Sequence, residues 1–63
     1  MKPGDLRQFY EGEDARHSGR VFLVLEIYES ANGVKDVDFL IDGVIVNWFF
    51  SYVESHSRPL GPV

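Results

Sequence analysis

Three features of the chain predict an all-β fold, a small curled sheet or barrel of four to five short antiparallel strands with little or no helix. First, its apolar runs are rich in β-branched and aromatic residues and lack the 3.6-residue period of a buried helix. Second, Asp42-Gly43 stands between two such runs, the residue pair best suited to a two-residue hairpin turn. Third, at 63 residues there is room for one domain and one core, without a linker long enough to divide it.

The elements follow in order. Lys2-Pro3-Gly4-Asp5 forms a turn, and residues 6–10 (LRQFY) form a short first strand. Residues 11–19 are polar and bracketed by Gly12 and Gly19. They read as a loop with nothing apolar to hold it down, with room for at most one helical turn at 13–17. Residues 20–28 (RVFLVLEIY) are the clearest strand. Strict alternation assigns Val21, Leu23, Leu25 and Ile27 to the core face and Arg20, Phe22, Val24, Glu26 and Tyr28 to the opposite face. Asn32-Gly33 supplies the next turn. Residues 34–41 then place Lys35, Val37, Phe39 and Ile41 on one face and Asp36, Asp38 and Leu40 on the other. After the Asp42-Gly43 turn, residues 44–50 return with Val44, Val46, Trp48 and Phe50 inward and Ile45, Asn47 and Phe49 outward. A 3₁₀ turn at 51–53 and a very short last strand at 53–55 complete a domain spanning 1–56. Residues 57–63, with Pro59 and Pro62, are expected to be a loosely ordered tail unless a partner holds them.

Composition narrows the function. Ten carboxylates against six Lys and Arg give a formal charge of −4, which disfavours generic attraction to phosphate backbones and anionic membranes. No cysteine is present, so disulfides and thiolate-bound metals are excluded. MKPGDLRQFY has no apolar run of signal-peptide length, and no stretch approaches the ~20 apolar residues of a membrane helix. A cytoplasmic protein without a cofactor is the expectation. Five Phe, three Tyr and one Trp supply a dense aromatic core, which a domain this small needs in place of staples.

The order of features resembles the small SH3-like barrels, including the KOW- and chromo-type variants. The matching residues are Lys2-Pro3-Gly4-Asp5-Leu6 at the first strand and Gly19-Arg20-Val21 opening a long second strand after a polar loop. They continue with the Asp42-Gly43 hairpin, Trp48-Phe49-Phe50 and the closing Tyr52-Val53-Glu54. The chain is also similar to the short uncharacterised barrel proteins of tailed bacteriophages and marine viruses. The resemblance covers residues 2–56. It implies binding rather than catalysis, of peptides, nucleic acids, methylated lysines or other copies of the barrel.

The candidate contact surface follows from the two-faced strands. Phe22, Val24, Leu40, Ile45 and Phe49 would form an outer apolar patch too costly to leave in water, and the contact surface is assigned to Phe22, Val24, Ile45, Phe49 and Tyr52. The expected role is therefore a non-enzymatic protein-interaction module that self-associates, with another protein as the other candidate partner. The alternative is a nucleic-acid-binding barrel using Arg20, Lys35 and Tyr52, although acidic residues are interspersed with its basic ones. Glu11, Glu13, Asp14 and His17 could be read as a metal site, but they lack a metal-binding spacing and read as solvated loop. Asp36 and Asp38 share a strand face, yet a barrel this small offers no evident pocket to desolvate either one. They read as edge-strand charges that discourage sheet extension. His17 and His56 lie beside serines in sequence, an adjacency that does not make a triad.

Overall fold

The computed structural model describes residues 1–12 and 16–62, with Pro62 as backbone. Its elements are β1 (Asp5–Phe9), β2 (Val21–Glu29), β3 (Lys35–Ile41), β4 (Val44–Phe49), α1 (Phe50–Ser55) and β5 (Ser57–Pro62). All strand pairings are antiparallel, and the order across the sheet is β4-β3-β2-β1-β5. The all-β expectation holds, with five strands and one six-residue helix. That helix packs against β3 and against both edge strands, β4 and β5, so it closes the open side of the curled sheet.

The core lies on the concave face. Phe9, Phe22, Val24, Val37, Phe39, Ile41 and Val53 are buried there, with Met1, Ile27, Val46 and Trp48 packed against them. The aromatic rings interlock. Phe22 sits 4.5 Å from Phe9 and 4.8 Å from Phe39, and Trp48 stands edge-on to Phe39 at 5.6 Å. Such offset and edge contacts add to the burial of the rings. The β3–β4 hairpin turns as expected on Asp42 (φ 52°) and Gly43 (φ 77°), both in the left-handed region that a type I′ turn requires.

Four expectations are corrected. The face assignment of β2 is inverted over its first half, because the strand is not regular. Val24 pairs with Phe39 while Glu26 pairs with Asp38, so Leu25 is an extra residue in a β-bulge. Before the bulge the even-numbered Phe22 and Val24 point inward; after it the odd-numbered Ile27 does. Next, residues 57–62 form β5 along β1 rather than a loosely ordered tail. Pro59 and Pro62 are compatible with this because β5 is an edge strand and need donate hydrogen bonds on one side only.

The turn and short strand expected at 51–55 form a helix instead, anchored by Val53, which is fully buried. Six residues do not hold a helix in water by themselves, so this packing does. Finally, the polar loop is held down. His17 is buried between Phe9 and Trp48, at ring distances of 5.9 and 5.4 Å, and its carbonyl accepts from the Arg20 amide. Residues 13–15 of that loop lie outside the described residues.

Candidate functional site

The convex face of the sheet carries the apolar surface. Cross-strand register aligns Leu6 with Leu23, Leu23 with Leu40, and Leu40 with Ile45. A single row of aliphatic side chains therefore crosses four strands, rising in exposure from half-buried Leu6 and Leu23 to Ile45 at 64%. Phe49, two pleats along β4 on the same face, is 63% exposed. Alternation explains the row: on β1, Arg7 and Phe9 are buried, which turns Leu6 outward; on β2, Phe22 and Val24 do the same for Leu23.

Of the five residues expected on a contact surface, Ile45 and Phe49 lie exposed on the convex face. Phe22 and Val24 do not, since each is 1% exposed and belongs to the core. The Leu25 bulge is the reason. Tyr52 is half-buried on α1, perpendicular to Trp48 at 5.1 Å and stacked on His56 at 4.0 Å. It forms, with Asp36, Asn47, Trp48 and Phe49, the wall of a shallow cleft of about 410 Å³ at the far end of β4. Leu6, Leu23 and Val21 belong to the outer face and were missed. The signal that finds Leu23 is its register with Leu40, which only the folded hairpin reveals.

The nucleic-acid alternative loses its geometry. Arg20 precedes β2 and lies 3.2 Å from Asp42 at the β3–β4 turn, whereas Lys35 starts β3 at its opposite end, paired with Glu29. Six residue steps of strand separate the two ends, about 20 Å. Lys35 instead sits over the Phe50 ring at 5.4 Å, and Tyr52 packs on Trp48, so the three residues make no common surface.

Asp36 and Asp38 are not edge charges, because β3 is an interior strand with β2 on one side and β4 on the other. Asp38 accepts a hydrogen bond from the Asn47 amide at 2.7 Å. Its other neighbour is Tyr28, whose hydroxyl also donates to Glu26 at 3.2 Å. The Tyr28 hydroxyl is pushed up from 10.0 to about 12, chiefly by its hydrogen bond with Asp38, with lost hydration and the charges of Asp38 and Glu26 adding to it. The neutral phenol is thus the form the fold favours. Its contribution is complete below the ordinary tyrosine value and disappears as pH rises through about 12. A spectroscopic titration is expected to show one tyrosine ionising near 12, moving back toward 10 in Asp38→Asn. Wild-type tyrosines that all titrate together near 10 would contradict this.

Among the described residues, no three His, Asp or Glu side chains are grouped closely enough to hold a metal ion. Glu13 and Asp14 lie outside the described residues. No helix among them is long and apolar enough to cross a membrane. Comparison of the chain with protein-family models, with curated proteins and with solved structures gave no match.

Proposed function

We propose that this chain is a non-enzymatic protein-interaction module that associates with further copies of itself through the convex face of its sheet. The observation that carries this reading is the row Leu6–Leu23–Leu40–Ile45, flanked by Phe49, on the face turned away from a complete core. The core does not need these residues. Their retention at 64% exposure for Ile45 and 63% for Phe49 in a chain of net charge −4 favours a protein contact over a solvated surface. Fully burying each of the two is worth about 1.5–3 kcal/mol. Binding rather than catalysis is also supported by how the paired aspartates are used: Asp38 is engaged by Asn47 and Tyr28 in a cross-strand hydrogen-bond network. We place the protein in the cytoplasm, that of the host cell if the chain is viral, as its resemblance to phage barrel proteins implies.

Light scattering over a wide concentration range tests this. The wild type is expected to show a mass of two or more chains, persisting on dilution. Phe49→Asp, which places a carboxylate where an apolar ring would be buried, is expected to weaken association by about 3 kcal/mol, roughly a hundredfold in Kd. Its circular dichroism should be unchanged, because Phe49 contributes little to the core. A wild type with the mass of one chain at every concentration would refute the proposal.

A further inference from the structure

The two edges of the sheet are built differently. β5 carries Pro59, Gly61 and Pro62, residues that blunt an edge because proline has no N–H to offer and glycine weakens a strand. β4 reads VIVNWF, with no charge, no proline and no glycine. The β3–β4 hairpin also fixes which of its backbone groups are open. In a two-residue hairpin the residues flanking the turn, here Ile41 and Val44, form a hydrogen-bonded pair, and bonded and non-bonded pairs then alternate. Val44, Val46 and Trp48 accordingly bond to β3, while the N–H and C=O groups of Ile45, Asn47 and Phe49 face away from the sheet. One of these groups is already used: Phe49 is the N-cap of α1, so its carbonyl accepts the first bond of that helix, which leaves both groups of Ile45 and Asn47 and the N–H of Phe49.

We infer that β4 is the joining edge, and that two copies pair β4 to β4 antiparallel about a two-fold axis through Asn47. This rests on the self-association proposed above and specifies its geometry. The occupant is a second copy because the edge is self-complementary. Directly opposed residues in an antiparallel pair must share a face, so a symmetric register has one residue on the axis. With Asn47 there, Ile45 of one copy lies opposite Phe49 of the other, and the reverse. The Asn47 pair joins two residues with both backbone groups open, and each Ile45–Phe49 pair can form the bond from the Phe49 N–H to the Ile45 carbonyl, the Phe49 carbonyl being held by α1. The two most exposed large apolar side chains among the described residues, Ile45 at 64% and Phe49 at 63%, then cover one another. Phe49 of each copy extends the aliphatic row of the other by one ring. Val46 of one copy lies opposite Trp48 of the other on the concave side, beside the cleft. No charged residue of either β4 meets its equivalent, so the net charge of −4 on each copy is not concentrated at the contact. A register centred on Val46 brings fewer open groups together and leaves Phe49 uncovered.

Asn47→Pro tests the edge directly. The Asn47 N–H faces away from β3, so proline leaves the β3 ladder intact while removing a donor needed only by the second copy. Its mass is expected to fall from two chains to one, while Asn47→Ala, which keeps the N–H, stays at two. Spin labels give a measurement that does not depend on proline being tolerated, and with no cysteine in the chain single Cys variants are specific. In the wild-type assembly, labels at Asn47→Cys are expected to be the closest pair, from backbones about 5.5 Å apart. Labels at Ile45→Cys and at Phe49→Cys should be farther apart and alike, from backbones about 14 Å apart. If Asn47→Pro folds and still dimerises, or if labels at Leu40→Cys are the closest pair, the edge geometry is overturned while the apolar-face proposal stands. A wild type with the mass of one chain overturns both.

Discussion

Phe39→Ala is expected to lower stability by about 3–5 kcal/mol, the range for removing a fully buried aromatic ring. Phe39 is 0% exposed at the centre of β3, and three rings lean on it: Phe22 at 4.8 Å, Trp48 at 5.6 Å and Phe9 at 5.8 Å. A chain of this length has roughly 3–9 kcal/mol of stability in all, so the loss brings it to the edge of unfolding. The surrounding rings belong to three different strands, β1, β2 and β4, and cannot close the cavity without shifting the sheet. Phe49→Ala provides the contrast, since its ring is 63% exposed and contributes about 0.5 kcal/mol or less to the isolated fold. Urea titration followed by Trp48 fluorescence separates the two, provided both variants are compared at one chain concentration, because association adds to apparent stability. Equal midpoints for Phe39→Ala and Phe49→Ala would contradict the division between core and outer face described above.

That division was partly legible in the sequence, and where it was not, the causes are local. On β3 and β4 the alternation is regular and the Asp42-Gly43 turn sets the register, so Val37, Phe39, Ile41 and Trp48 could be assigned inward and Ile45 and Phe49 outward. On β2, apolar residues occupy both parities from Val21 to Leu25, so pattern alone does not choose a face. The bulge at Leu25 carries no glycine to announce it. Choosing one parity for the whole strand therefore put Phe22 and Val24 outside. The outer apolar face expected from the sequence inherited that error, gaining two core residues and losing Leu23. The loop at 11–19 hid a different feature: His17 is a polar residue acting as an aromatic plug, which a reading by hydropathy passes over. The Asp36/Asp38 pair was placed on an edge because strand order, unlike strand existence, is not written in a local pattern.

The remaining miss, β5, leads to the second large effect. Arg7→Leu is expected to release β5 from the sheet and to cost on the order of 3 kcal/mol. Arg7 is 6% exposed and faces the interior from β1. Its Nε donates to Ser57 Oγ at 2.8 Å, and its guanidinium nitrogen donates to the carbonyls of Ser57 at 2.9 Å and Glu54 at 3.3 Å. Ser57, itself 3% exposed, donates its hydroxyl hydrogen bond to the Val53 carbonyl. One side chain thus ties the end of α1 and the start of β5 to β1. Carbonyls in the last turn of a helix have no partner within it, and the forked cation supplies one. Leucine fills part of the volume but leaves these acceptors buried and unpaired, at about 1–3 kcal/mol each, against which the lost desolvation of a charge is a partial offset. Lysine is not expected to rescue, because a single ammonium cannot reproduce the planar fork. Hydrogen exchange resolves the effect by element: amides in β5 (Ser57–Pro62) should lose protection in Arg7→Leu while those of β3 (Lys35–Ile41) keep most of theirs. Unchanged protection in β5 would mean that its ladder with β1, supported by the Arg58–Gln8 side-chain bond at 2.6 Å, holds the strand without Arg7.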